Sequence, residues 1–215
     1  MSEDERRREV MDKILKGTTT LGVVCKDGVI LATDRRATAG LHIAHKHTKK
    51  TLKVDDHIAA TIAGGVADAQ MFVEYLAVEA RLYRTNNNRP MPVKSAATLA
   101  ANILGSRGFY LQSILAGMDG DEPSIFLLDM LGTLTEEKRY ICTGSGTPYS
   151  VGVLESGYKT GITTKDALPL VVKAITSSIR WDPGTGEGFD VLIIDKDGMH
   201  EYRGEELLKT YVPAS

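Results

Sequence analysis

Cysteine is scarce in this chain: Cys25 and Cys142 are the two among 215 residues. Each sits in an apolar, strand-like run, so they read as buried free thiols of a reducing compartment and not as a disulfide framework. An excess of one charge is also missing. The formal net charge is −2, whereas a nucleic-acid partner would ask for a basic face. No apolar run approaches the length needed to span a bilayer, the longest being short segments such as 191–194. The N-terminus, Ser2-Glu3-Asp4-Glu5-Arg6-Arg7-Arg8-Glu9, has no apolar stretch behind it and so does not read as a secretory signal. These absences predict a cytoplasmic protein with neither nucleic acid nor membrane as partner. The length suits one ordinary domain with a sizeable core.

What is present changes character at Gly17. Residues 1–16 are charged, with a weak apolar spacing at Val10, Met11, Ile14 and Leu15 that allows a short helix. Beyond them, 18–25 and 29–34 are β-branched and apolar, and Lys26-Asp27-Gly28 between them is hairpin chemistry. A second hairpin takes 51–54, an Asp55-Asp56-His57 turn and 58–63. Two helical patterns follow. In 66–84 the residues Ala69, Phe72, Val73, Leu76, Ala80 and Tyr83 follow the i, i+3, i+4, i+7 rule. The second, 93–104, opens after Pro90 and Pro92, with Gly105 just past its end. Strands return over 113–118, 124–129 and 139–143. A Gly144-Ser145-Gly146 bend then leads to a helix near 148–156 and a clearer one over 164–181, with Leu168, Val171, Val172, Ile175 and Ile179 on one stripe. The last hairpin joins 189–195 to 199–203. Tight turns enforce antiparallel pairing, so the class is α+β, and strands this uniformly apolar need cover on both faces.

The hairpins make geometric predictions. Pairing Cys25 with Val29 sets Thr20 opposite Asp34 and brings Asp34 one diagonal step from Thr18. Pairing Val54 with Ile58 sets Lys50 opposite Ile62, at the same end as Gly64. An acid, a lysine and a threonine then lie at strand ends, beside Gly64-Gly65 opening a helix whose backbone N–H groups can hold an oxyanion. Each signal has a plainer reading: a threonine after glycine is usually a strand residue, Asp34 can pair with Arg35 or Arg36, and Lys50 ends a basic loop. The joint pattern is more specific.

That pattern resembles the β-type subunits of the proteasome, most closely the archaeal kind. It is carried by Gly17-Thr18-Thr19-Thr20, Ala32-Thr33-Asp34-Arg35-Arg36-Ala37-Thr38, Lys49-Lys50, Thr61-Ile62-Ala63-Gly64-Gly65-Val66-Ala67-Asp68-Ala69-Gln70, Thr143-Gly144-Ser145-Gly146 and Gly152-Val153-Leu154-Glu155. The blocks run in the family's order from Gly17 to about Tyr202. The resemblance implies a four-layer αββα sandwich of two antiparallel sheets, the N-terminal-nucleophile hydrolase fold. It implies a threonine endopeptidase that degrades unfolded proteins once residues 1–17 have been removed autocatalytically at Gly17-Thr18, leaving 18–215 as one catalytic domain. It implies Thr18 as nucleophile, Asp34 and Lys50 as its charged partners, and Ser145 and Asp182 as support near the terminal amine. Thr185 stands where relatives often have serine. Gly64 would donate to the oxyanion, Thr38 would pair with the substrate backbone, and Ala37, Thr48, Ile62 and Val66 would line a pocket that favours apolar residues. Implied partners are further β copies in seven-membered rings, α-type subunits and a regulatory ATPase, with no metal or cofactor.

The residue types suit this chemistry. A freed α-amine has a pKa of about 8 and can shuttle a proton near neutral pH, whereas Lys50 would have to fall by roughly 3 units, a cost of about 4 kcal/mol. Either the amine or Lys50 can be the acceptor on sequence grounds. While Gly17 remains attached, the amine is an amide and cannot act. Other readings are weaker. His42, His45 and His47 share one short loop without a carboxylate or thiol at ligand spacing. Cys25 has no histidine in a matching motif, Gly144-Ser145-Gly146 is not a nucleophile elbow, and Gly184-Thr185-Gly186-Glu187-Gly188 lacks the spacing of a dinucleotide loop. An inactive barrel subunit and a small-molecule amidohydrolase remain as alternatives.

Overall fold

A computed structural model describes residues 17–39 and 42–211. The short helix expected in 1–16 lies outside the described residues. One sheet is ordered β11-β1-β2-β12-β13, from β1 (Thr19–Cys25), β2 (Gly28–Asp34), β11 (Tyr140–Gly144), β12 (Phe189–Asp195) and β13 (Gly198–Arg203). The other is ordered β10-β9-β8-β6-β5, from β5 (Thr51–Asp55), β6 (Ile58–Thr61), β8 (Leu111–Asp119), β9 (Glu122–Leu128) and β10 (Leu134–Glu137), with β7 (Ala63–Gly64) paired to β8. A small ribbon joins β3 (Ala37–Ala39) to β4 (His42–His45). Every described strand pairing is antiparallel.

Three apolar cores separate four layers. α1 (Val66–Asn87) and α2 (Val93–Arg107) cover the second sheet, burying Phe72, Leu76 and Leu104 against Leu111, Leu115 and Phe126. α3 (Thr147–Gly157) and α4 (Thr164–Trp181) cover the first, with Leu154, Val171 and Ile175 against Leu21, Ile30 and Val191. Between the sheets, Val29, Leu31 and Ile194 meet Ala59, Ile114 and Ile125. The two-residue alternation of a strand explains why β2 has no polar face: Ile30 and Ala32 point to the helices while Val29 and Leu31 point to the other sheet. The fold is the αββα sandwich expected from the family resemblance.

The differences have local causes. The first hairpin pairs Cys25 with Gly28 and Thr20 with Thr33, one residue off the expected register. Gly28 is not a turn glycine. It sits in the strand where a β-carbon would lie 2.4 Å from the Ile194 carbonyl of β12, so it is small because a neighbouring strand crowds it. Likewise α2 runs through Gly105, which packs against Gly132, and ends at Gly108 in the left-handed conformation. The second hairpin keeps the expected pairing at its open end, where Thr51 faces Thr61 and Ile62 N–H donates to the Lys50 carbonyl. A bulge at Val54 absorbs the shorter turn. The strand expected over 58–63 divides into β6 and β7, while β3, β4, β10 and the closing helix α5 (Gly204–Tyr211) were not expected. No described helix is long and apolar enough to cross a membrane.

Candidate active site

Strand polarity brings the chemistry to one edge. Because β1 runs antiparallel to both β2 and β11, its start lies beside the ends of each, so Thr18 meets Asp34 on one side and Ser145 on the other. β12 is antiparallel to β2 and begins opposite Asp34, which carries the 182–188 loop to the same place. The start of β5 stacks on this edge from the second sheet, where Thr33 and Thr51 hydroxyls are 3.3 Å apart. That stacking brings in Lys50.

The resulting group is compact and buried. Lys50 Nζ donates to Thr18 Oγ1 at 2.9 Å and to Asp34 Oδ1 at 2.7 Å, and the Thr18 hydroxyl donates to the Gly17 carbonyl at 2.7 Å. Asp34 is fully buried, and Lys50 and Thr18 are 4% and 8% exposed. Asp34 also accepts from backbone: Thr19 N–H at 2.9 Å on Oδ1, and the N–H groups of Arg36 and Gly186, each at 3.1 Å, on Oδ2. Burial works against both charges. It raises the Asp34 carboxyl above its ordinary range, opposed by Lys50 and the backbone donors, and it lowers the Lys50 ammonium, opposed by Asp34. Asp34 does not pair with the guanidinium of either neighbour. Arg35 reaches Asp190 and Glu205, and Arg36 holds the 183–187 loop through the Pro183 carbonyl.

Ser145 and Asp182 come together as well. Ser145 Oγ donates to Asp182 Oδ2 at 2.6 Å and accepts from Gly17 N–H at 3.2 Å, while Thr185 Oγ1 donates to the same Asp182 oxygen and lies 2.7 Å from Thr19 Oγ1. Thr185 therefore belongs to this cluster. Ser145 thus serves the backbone nitrogen of Gly17. Gly17 holds a φ of +104°, a conformation open to glycine and strained for other residues. A cavity of about 230 Å³ opens beside Thr18, lined by Ala37, Thr38, Thr48, Ile62, Gly64 and Val66 with Gly17, Lys50 and Gly65. All six expected substrate-side positions line this one space. A larger groove of about 480 Å³ beside Arg35 and Lys49 holds charges already paired with one another, such as Lys49 with Glu201, and no group of the Thr18 cluster.

Sequence reasoning missed Thr19, Arg36 and Gly186. All three serve Asp34 through backbone N–H groups, which leave no mark on residue type; Thr19 alone had a signal, as part of the threonine run. The histidines His42, His45 and His47 are exposed, and among the described residues no cluster of His, Cys, Asp or Glu is arranged to hold a metal. Burial pushes the Cys25 thiol up to about 12, helped by Asp27, and the Cys142 thiol also to about 12. Neither is an activated nucleophile.

Two sheets between helical layers, with a buried threonine at the first strand's start facing a lysine and an acid, define an N-terminal-nucleophile hydrolase fold. A family model described as "Proteasome subunit" matches residues 14–194. Similar curated proteins include proteasome subunit beta 1 of Pyrobaculum arsenaticum, 49% identical over 85% of this chain and 92% of its own length. Others are proteasome subunit beta of Methanobrevibacter smithii, 47% identical over 87% and 92%, and of Archaeoglobus profundus, 46% identical over 94% and 95%. The chain belongs to the proteasome subunit family, as a β-type subunit.

Proposed function

We propose that this chain is a catalytic β-subunit of a proteasome core, a threonine endopeptidase that frees its own nucleophile by cutting between Gly17 and Thr18. The observation that carries the reading is the continuous contact from Asp34 through Lys50 to a Thr18 hydroxyl that touches the Gly17 carbonyl. In the cut, Thr18 Oγ1 attacks the Gly17 carbonyl carbon. The C–N bond breaks, the hydroxyl proton passes to the departing nitrogen, and an ester joins Gly17 to Thr18. Water then hydrolyses the ester, releasing residues 1–17 as a carboxylate and restoring the hydroxyl beside a free amine.

Intermolecular cleavage repeats the chemistry. Thr18 Oγ1 attacks a peptide carbonyl, the backbone N–H of Gly64 stabilises the oxyanion, and water resolves the acyl-enzyme. Lys50, held by Asp34, lowers the hydroxyl pKa by its charge, and the freed α-amine, supported by Ser145, Asp182 and Thr185, accepts and returns the proton. The burial that lowers Lys50 favours a second reading, in which Lys50 itself takes the proton. Thr38 pairs with the substrate backbone as an added strand. Ala37, Thr48, Ile62 and Val66 present small or apolar surface, which supports a preference for apolar residues before the cut. Substrates are unfolded polypeptides, and the working assembly is a cytoplasmic barrel of seven-membered β rings with α-type rings, fed by a regulatory ATPase. An inactive subunit would have no need of an intact Thr18–Lys50–Asp34 contact, and an amidohydrolase would show no ring-sized mass by size exclusion.

Intact mass and peptide hydrolysis test the proposal. The unsubstituted chain is expected to lose residues 1–17 and hydrolyse peptides, whereas Thr18→Ala keeps them and is inert. A Thr18→Ala protein that matures or digests peptides would move the nucleophile elsewhere.

A further inference from the structure

Resting on that self-cleavage reading, we propose that Gly184 is a positioning residue for self-cleavage alone, because its missing side chain leaves the slot in which Gly17 is held. The observation is a close approach from two sides. A β-carbon on Gly184 would lie 2.4 Å from Gly17 Cα and 2.7 Å from its nitrogen, and a β-carbon on Gly17 would lie 2.0 Å from Thr38 Oγ1. Non-bonded heavy atoms do not approach a β-carbon so closely, so the backbone before Thr18 passes through a gap one glycine wide. Within that gap Gly17 N–H donates to Ser145 and its carbonyl accepts from the attacking hydroxyl.

The Gly184 wall is pinned. Gly184 N–H donates to Asp182 Oδ1 at 3.2 Å, Arg36 Nη1 donates to the Pro183 carbonyl at 2.7 Å, and Thr185 Oγ1 donates to Asp182. A methyl group at position 184 therefore displaces Gly17 before it displaces the loop. A shift of that size in a reacting carbonyl is costly, since intramolecular attack depends on alignment.

The effect is confined to the uncut chain. Gly184 does not occupy the left-handed region, so alanine meets no backbone strain there. Of the three atoms nearest its β-carbon, two belong to Gly17 and leave with the leader. The third, Ser145 Oγ at 3.1 Å, needs a shift of a few tenths of an ångström. Alanine at 184 thus obstructs the precursor and fits the processed subunit.

The test follows Gly184→Ala in the full chain by time-resolved intact mass. Loss of residues 1–17 is expected to slow by at least about tenfold, with the melting temperature within about 3 °C of the unsubstituted protein. Peptide hydrolysis per processed chain is expected within about threefold of the unsubstituted value. If no chain is processed, the same measurement is made on a variant released at Thr18 from a cleavable carrier, the working form under the reading above. Maturation of Gly184→Ala at the unsubstituted rate overturns the inference. So does leader-free Gly184→Ala with hydrolysis reduced as far as maturation, because the methyl would then act on something other than Gly17. Failure of the unsubstituted chain to free Thr18 is a different result, visible before any variant is made, and it removes the self-cleavage reading itself.

Discussion

Asp34 and Arg35 are neighbours at the end of one strand, yet their ion pairs sit in opposite surroundings. Asp34 and Lys50 face each other with side chains 0% and 4% exposed, whereas Arg35 is 10% exposed and its partners Asp190 and Glu205 are 27% and 58% exposed. Burying two charges costs several kcal/mol each, and their attraction repays it only with further hydrogen bonds. Three backbone N–H groups on Asp34 supply those bonds. The Arg35 network keeps the hydration of its partners Asp190 and Glu205, so solvent screening weakens each of its pairs. On the proposed function the buried pair serves the chemistry, while the outer one fastens β12 and α5 to β2.

The contrast breaks most visibly at Lys50. Lys50→Met leaves the Asp34 carboxylate buried without its cation, and urea unfolding is expected to show a loss of about 3–5 kcal/mol, with peptide hydrolysis abolished. Adding Asp34→Asn removes the unpaired charge but turns one carboxylate oxygen into an NH2 that faces a backbone N–H, so it should recover only part of the stability and none of the activity. If Lys50→Met cost no more than a change at Arg35, the proposed division of labour would be wrong. Arg35→Ala comes next: about 1 kcal/mol is expected by the same unfolding measurement, shrinking with added salt, and hydrolysis is unchanged.

The smallest effect sharpens the outer network's pH dependence. Arg35 donates to Glu205 and holds its carboxyl below the ordinary 4.5. A depressed acid stabilises the fold at pH above its unfolded value, and that stabilisation is lost as pH falls through the lower folded value. Glu205→Gln should therefore lower the melting temperature by about 1–2 °C at pH 7, a small figure because Glu205 is more than half exposed. The difference should vanish in acid below the carboxylate range. A deficit that persisted there would show that Glu205 acts by packing and not by charge.

Much of this was legible in residue order. The stripes of α1 and α4 appear in the sequence because a 3.6-residue period survives whatever the helix packs against. Lys50 was correctly aligned with Ile62 because the second hairpin's bulge compensates its shorter turn. The first hairpin slipped by one residue because Gly28 looks like a turn glycine, and only the presence of β12 shows that it is a crowded strand residue. β10 escaped notice because Leu134-Thr135-Glu136-Glu137 lies at an exposed sheet edge and is held by backbone pairing to β9. α5 is amphipathic and buries Leu207, but at eight residues it is too short for its pattern to stand out.

Residue order by itself determined the α+β class, the apolar faces of the long elements, and a Gly17-Thr18 junction with an acid and a lysine at strand ends. Tertiary structure alone decided that Asp34 takes Lys50 and not a neighbouring arginine, and that Thr185 bonds Thr19, 166 residues away. It alone set Gly184 against Gly17. The physical reason is range: periodicity and turn chemistry act over a few residues, while a contact of ångström tolerance between distant segments exists only once both sheets and their helices have packed.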